Sequence, residues 1–350
     1  MPHPITLWRE VKLLLVCALM SAAIHGIEAS AQDLEEARRL AGAGRIEAAA
    51  AAYRRHIASD PKSFDGHFEL GQILLAQDPR RAREHLALAV ELEPQRAAAH
   101  ARLAQALILL QEMDNAAREL ERARDLDPQQ PPTRYNLARL YEGQQRHEEA
   151  LTEYAAFLKL APSDPRANTV RQRLALYYEN TERLDDALRL YEEVLAGEPG
   201  NVAALNAQAD IQYRRTQYDD ALRGYEKVLA LDPSAWSAHA NAAFIYRLRG
   251  DLTRAVDHYR RTIALNPEHI TSQYFLGTLY ADQGEDTEAL EQFARVVAIQ
   301  PEHPLVHYSI GKLLLKRGDR EGAQKEFDRH RTIQAAERAR SRTASTMGDP

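Results

Sequence analysis

His303 and His307 stand four residues apart, a spacing that sets two imidazoles on one face of a helix. Two such rings are half of a zinc site. Zinc takes three or four protein ligands, and no cysteine or HExxH pattern joins this pair, so a structural or surface role is expected. "HEEA" (147–150) lacks the second histidine of a zinc-protease helix. "GAGRIE" (42–47) has two glycines of a phosphate-binding turn, but it lacks the third and follows a helical pattern instead of a strand. Arg329, Arg331, Arg338, Arg340 and Arg342 crowd the C-terminal tail, a composition that suits an acidic partner or anionic lipid. Glu337 interrupts that run and no aromatic belt accompanies it, so it reads as cations suited to a helix C-terminus. No nucleophile, base and acid assemble, and neither an enzyme, a metal nor a cofactor is expected.

The elements that carry these residues are set out by proline. Pro61, Pro94, Pro128 and Pro162 are spaced 33, 34 and 34 apart, and Pro165, Pro199, Pro233, Pro267 and Pro301 are 34 apart throughout. A three-residue insertion, "SDP" (163–165), separates the two series, and a one-residue deletion falls near "QDPR" (77–80). Proline cannot continue a helix and pushes the preceding residue toward extended geometry. Asp60, Asp127, Asp164, Asp232 and Asn266 precede it, and their side chains are expected to bond free N–H groups where the next helix begins. Between prolines run two apolar stripes at i, i+3, i+4 spacing, the mark of paired amphipathic helices. In residues 272–301 Leu276, Gly277, Leu279 and Tyr280 mark one stripe, and Ala289, Phe293, Val296 and Val297 the other, with Gly284 at the turn between.

Leu276-Gly277-x-x-Tyr280, Ala289-x-x-x-Phe293 and Pro301 resemble the tetratricopeptide repeat, whose period is about 34 residues. The resemblance covers nearly all of the chain after residue 31. Nine units follow: 30–63, 64–96, 97–130, 131–167, 168–201, 202–235, 236–269, 270–303 and 304–337. It implies an all-α fold, a right-handed superhelical solenoid of about nine stacked helix-turn-helix repeats. The small position of the second helix is alanine in every unit: Ala49, Ala82, Ala116, Ala150, Ala187, Ala221, Ala255, Ala289 and Ala323. Two helices crossing closely leave no space for more. The family's tryptophan slot is histidine in several units. Gln208 and Gln212 replace the Leu and Tyr of the pattern in the sixth, whose first helix is expected to pack less tightly. The ninth has Ala335 in place of proline, so its second helix should run on through 334–342 as a polar end cap.

The resemblance further implies a concave groove lined by first helices. Tyr135, Tyr213, Tyr274 and Tyr308 would face it, with Phe68, Gln72, Arg139, Gln172, Asn206, Asp210, Phe244, Arg247, Thr278 and Lys312 alongside. Aromatic and arginine side chains are the usual anchors of protein interfaces. Tyr274 and Tyr308 lie outside the repeat's packing set and are expected to bear on binding, not stability. The mixture Tyr135, Arg139, Asn206 and Asp210 does not match the family's carboxylate clamp, and Asn136 and Asn241 make no asparagine ladder.

Acids and bases are interleaved to a net charge of −6, which gives no basic face for nucleic acid. Arg9 and Lys12 precede the apolar run 13–24, and Ala29 and Ala31 stand at small-residue positions, the pattern of a cleavable export signal over 1–31. About a dozen apolar residues fall short of the roughly 20 that span a bilayer. The alternative is an uncleaved N-terminal anchor. Cys17, the single cysteine, lies within this run. The mature chain is expected to begin at about Gln32, to reach the periplasm, and to carry a repeat array over 32–337 and an arginine-containing tail over 338–350. No later stretch is apolar enough to cross a membrane. The functional expectation is a non-catalytic scaffold or adaptor that binds protein or peptide partners, in cell-envelope assembly. The alternative is a regulatory or substrate-presenting subunit of an envelope enzyme, such as one making or exporting polysaccharide.

Overall fold

A computed structural model describes residues 29–347, with side chains described through residue 340. The signal expected over 1–31 therefore lies almost wholly outside the described residues. All regular structure among the described residues is helical. The chain divides into two compact units, one ending at Val170 and the other beginning at Arg171, beside the "SDP" insertion.

The first unit holds four helical hairpins. They are α1 (29–42) with α2 (Ile46–Ser59), α3 (Phe64–Leu74) with α4 (Pro79–Leu92), α5 (Ala97–Leu109) with α6 (Met113–Leu126), and α7 (Pro131–Gly143) with α8 (His147–Leu160). The second unit opens within α9 (Ala167–Asn180), followed by α10 (Leu184–Gly197). Then come α11 (Val202–Arg214) with α12 (Tyr218–Leu231), α13 (Trp236–Leu248) with α14 (Leu252–Leu265), α15 (Ile270–Gln283) with α16 (Asp286–Ile299), and α17 (Val306–Lys316) with α18 (Arg320–Met347). Inside each unit a helix packs against its hairpin partner and then against the first helix of the next hairpin. As expected, α18 continues past Ala335, because nothing there stops it.

The nine alanines are buried, seven of them completely, where the helices of a hairpin cross. The small first-helix position obeys the same constraint. A Cβ on Gly277 would sit 2.7 Å from the Phe293 ring, and one on Gly311 would sit 2.6 Å from Phe327. The sixth repeat is not slack. Ile211 fills the core between Gln208 and Gln212, and Gly224 approaches Ala209 so closely that an added Cβ would lie 2.7 Å from its Cβ.

The polar residues before each proline act differently from expectation. Asp60, Asp127, Asp164, Asp232 and Asn266 accept from the N–H two residues on, at 2.9–3.3 Å, and so close the turn itself. They stand too early to cap the next helix. Where a side chain does that, it comes later: Ser63 accepts from Gly66 N–H at 3.1 Å, and Asn201 from Ala204 N–H at 3.0 Å.

Eight hairpin turns place one residue in the left-handed region: Gly44, Gln111, Gln145, Glu182, Thr216, Gly250, Gly284 and Gly318. The second hairpin, one residue shorter, lacks this position and turns through Asp78 and Pro79. A Cβ in this region costs about 1–2 kcal/mol, and a β-branched residue suffers most. Thr216, at φ 59°, is therefore the strained member. Thr216→Gly is expected to raise the urea midpoint of the second unit by relieving about 1 kcal/mol, partly offset by glycine's unfolded-state entropy. A lowered midpoint would contradict this account.

Candidate functional site

The first helices of each unit carry the residues expected to bind. In the first unit, Phe68 on α3 is half-buried and stacks on Phe64 at 5.2 Å, while the Arg96 guanidinium lies 5.3 Å from the Phe64 centroid. Gln72, one turn on, is half-buried. Tyr135 on α7 is held from three sides. Phe157 lies 5.4 Å away, Tyr154 6.3 Å away, and the Arg166 guanidinium is 4.5 Å from its centroid. It is more a packing residue than a free anchor. Arg139, one turn later, is exposed and helps line a cavity of about 560 Å³. Ile108, Leu109, Met113 and Leu140 form the apolar part of that wall. Leu109 is 52% exposed and Met113 39%. Sequence reading passed over these two, although the run "LILLQEM" (107–113) carries more apolar side chains than one helix stripe needs.

In the second unit, Gln172 on α9 is half-buried. Asn206 and Asp210 on α11 bond to each other at 2.8 Å. Asp210 also accepts from the Tyr225 hydroxyl at 2.6 Å and from the Asn241 amide at 3.0 Å. Burial pushes the Asp210 pKa up, and those three donors work against the rise. Asp210 thus ties α11, α12 and α13 together from within. Phe244 lies between Tyr213 (5.7 Å) and Phe275 (6.0 Å). The Arg247 guanidinium sits 4.2 Å from the Phe275 centroid and 5.1 Å from that of Phe244, a cation–π arrangement. Phe275, missed by sequence reading, is central to this group; its signal was the adjacent aromatic pair Tyr274–Phe275.

Tyr274 does not stand clear of the packing, contrary to expectation. Its half-buried ring meets Phe275 at 5.6 Å, the fully buried Phe293 at 5.8 Å and His303 at 4.9 Å. Phe293 belongs to the second helix, and a tyrosine on the preceding first helix necessarily covers its edge. Thr278 spends its hydroxyl on the Phe275 carbonyl at 2.7 Å. Tyr308 meets Phe327 at 5.8 Å and His330 at 5.4 Å but is 46% exposed, and the exposed Lys312 ammonium lies 6.0 Å from its ring centroid.

The histidines in the tryptophan slot have a shared geometry. His67, His100, His239 and His307 each point Nε2 at the carbonyl of the proline six residues earlier, at 2.7–3.3 Å. Their Nδ1 atoms meet His85 (3.0 Å), Glu119 (2.6 Å), His258 (2.9 Å) and Glu326 (2.6 Å). His303 instead accepts from Val306 N–H at 3.2 Å, so His303 and His307 are spent on separate structural bonds. Among the described residues no group of three metal-ligating side chains forms.

In the pairs His67–His85 and His239–His258, the slot histidine donates through Nε2, so its neutral ring accepts at Nδ1 from the second histidine. Burial, and the neighbouring ring in the case of His85 and His258, lower the pKa of His85, His239 and His258. Asp257, Glu226 and Arg261 also face His258, the two acids opposing the shift. A depressed imidazole pKa favours the neutral ring in the fold. The resulting stability is complete above the unfolded value near 6.5 and is lost as pH falls below it. The melting temperature should fall from pH 7 to pH 5, and His85→Gln with His258→Gln should flatten that slope. An unchanged slope in the double variant would remove these pairs as its cause.

Stacked helical hairpins of this length and spacing define an α-solenoid, and sequence models agree on which kind. Tetratricopeptide repeat models match residues 34–78, 76–131, 111–174, 173–235, 206–270 and 246–304, so the chain belongs to the tetratricopeptide repeat family. The family fold is a scaffold for protein–protein interaction. Similar solved structures include the C-terminal part of a TPR repeat-containing protein from Cytophaga hutchinsonii, at 14% identity and a TM-score of 0.53, covering 68% of this chain and 97% of that one. A MamA protein is 25% identical, with a TM-score of 0.45, over 49% of this chain and 93% of its own. YrrB, described as a TPR protein with an unusual peptide-binding site, is 18% identical with a TM-score of 0.46, over 54% and 96%. No curated protein matches the chain. No described helix is long and apolar enough to cross a membrane.

Proposed function

We propose that this chain is an exported scaffold that holds protein or peptide partners on its first-helix faces during assembly at the cell envelope. The observation that carries the binding surface is the Phe244–Arg247–Phe275 group in the second unit, half-buried aromatic rings under an arginine. Large rigid rings and a guanidinium give contact area and directed hydrogen bonds at low entropic cost. In the first unit, the cavity beside Arg139 supplies an apolar pocket of ligand-binding size. Export is supported by the basic, apolar and small-residue order of residues 9–31.

Proximity labelling in native cells tests this reading, with the labelling enzyme fused to the C-terminus of the wild type and of Phe244→Ala. Envelope proteins marked by the wild type and lost with the variant are the expected result. Labels confined to cytoplasmic proteins, or identical for both chains, would contradict it. Polysaccharide-making enzymes dominating the labelled set would favour the enzyme-subunit role instead. Intact mass of the envelope fraction reads the N-terminus, expected near Gln32.

A further inference from the structure

The buried tyrosines of the second helices follow a rule with one break. Tyr53, Tyr154, Tyr191 and Tyr225 donate their hydroxyls to Glu69 (2.7 Å), Glu142 (3.0 Å), Glu179 (2.5 Å) and Asp210 (2.6 Å). For Tyr154 and Tyr191 the acceptor lies twelve residues earlier, on the first helix of the same hairpin. Twelve residues before Tyr259 stands Arg247. The charge at that position is inverted.

The consequence is visible at two atoms. Tyr259 is 1% exposed and its hydroxyl donates to no acceptor, and the buried Nε of Arg247 donates to none either. Arg247 is the group at the Tyr259 hydroxyl, its charge and its N–H groups both acting against the burial that pushes the pKa up to about 12. A buried donor without an acceptor is destabilising, and here two gather at one place. Phe244 and Phe275 flank the guanidinium. The group thus places an unmatched hydroxyl donor and a cation beside apolar rings.

We infer that a partner's acidic side chain docks on the half-buried Arg247 guanidinium. Its carboxylate accepts from the Arg247 guanidinium, and a large apolar residue beside it in the same partner segment packs on Phe244 and Phe275. A peptide is a better fit than a free inorganic anion, because an anion leaves the rings without contact. The inference rests on the partner-binding reading above and adds the chemistry of the partner.

The test pans random twelve-residue peptides displayed on phage against the full chain, in parallel with Arg247→Glu and Arg247→Gln. Enriched peptides are then synthesised and measured by fluorescence anisotropy. Wild-type selection should yield Asp or Glu next to a large apolar residue, with affinity at least tenfold weaker in both variants. Arg247→Glu should also melt about 2–4 °C higher, since the new carboxylate gives Tyr259 the acceptor that Glu142 and Glu179 give their tyrosines. A merely structural arginine would leave that variant less stable. Peptides without acids, unchanged affinity in both variants, or a lower melting temperature of Arg247→Glu would each overturn the inference. Peptides that answer to Tyr308→Ala or Arg139→Glu but not to Arg247 would leave the partner-binding reading standing and remove the acidic site. No enrichment over bare support would remove both.

Discussion

Ala221→Leu is expected to destabilise the second unit by about 1–3 kcal/mol through overpacking. Ala221 is wholly buried, as are Ala209, Tyr225 and Ala238 in the same core, with Leu205 nearly so. The crossing of α11 and α12 is already tight, as the near contact of Gly224 with Ala209 shows. Three added carbons have no void to enter, so the helices must separate. Ala221→Gly should cost about 1 kcal/mol by a different route, the backbone freedom of glycine in a helix. Each hairpin contacts only its neighbours, so the damage should stay local and the unfolding transition should broaden. Hydrogen exchange is the measurement. Amides of α11 through α14 should exchange faster while those of the first unit keep their protection. Uniform acceleration through both units would be the wrong outcome for a linear array.

The second large effect is on binding. Tyr308→Ala is expected to weaken partner affinity roughly thirtyfold, the equivalent of about 2 kcal/mol for an aromatic anchor. Its ring lies on Phe327 and His330 but is nearly half exposed, so the melting temperature should fall less than for Tyr274→Ala. Tyr274→Ala is a different experiment. Its ring covers Phe293 and Phe275, and its loss should cost about 2 kcal/mol of stability, less than the 3–5 kcal/mol of a fully buried aromatic. Tyr274→Phe keeps that packing and isolates the hydroxyl, which lies 3.4 Å from Ser309 Oγ. Deleting residues 338–350 separates the arginine tail from the helix faces. Binding lost on that deletion and fading with salt, with Tyr308→Ala without effect, would place recognition on exposed charges.

The register of this fold was legible in the chain because its determinants are local. A proline that cannot continue a helix, an alanine where two helices touch and an apolar residue each turn recur from repeat to repeat, so periodicity announced the hairpins, and the missing proline at Ala335 announced the run of α18. The left-handed turn residue was legible where it is glycine and hidden at Gln111, Gln145, Glu182 and Thr216, because nothing in those side chains advertises a positive φ. The binding face was legible only as a set of positions. Sequence spacing placed Asp210, Arg247, Tyr274 and Tyr308 on first helices, but it could not weigh contacts made across 12 to 31 residues. Tertiary structure decided that Asp210 is consumed by Tyr225 and Asn241, that Tyr274 is packed on Phe293, and that Tyr308 stays nearly half exposed while it lies on Phe327. It also decided that Tyr259 faces a cation where its counterparts face a carboxylate. Helix periodicity is written residue by residue, whereas the partner of a buried polar atom is chosen by whichever side chain the neighbouring helix brings to it.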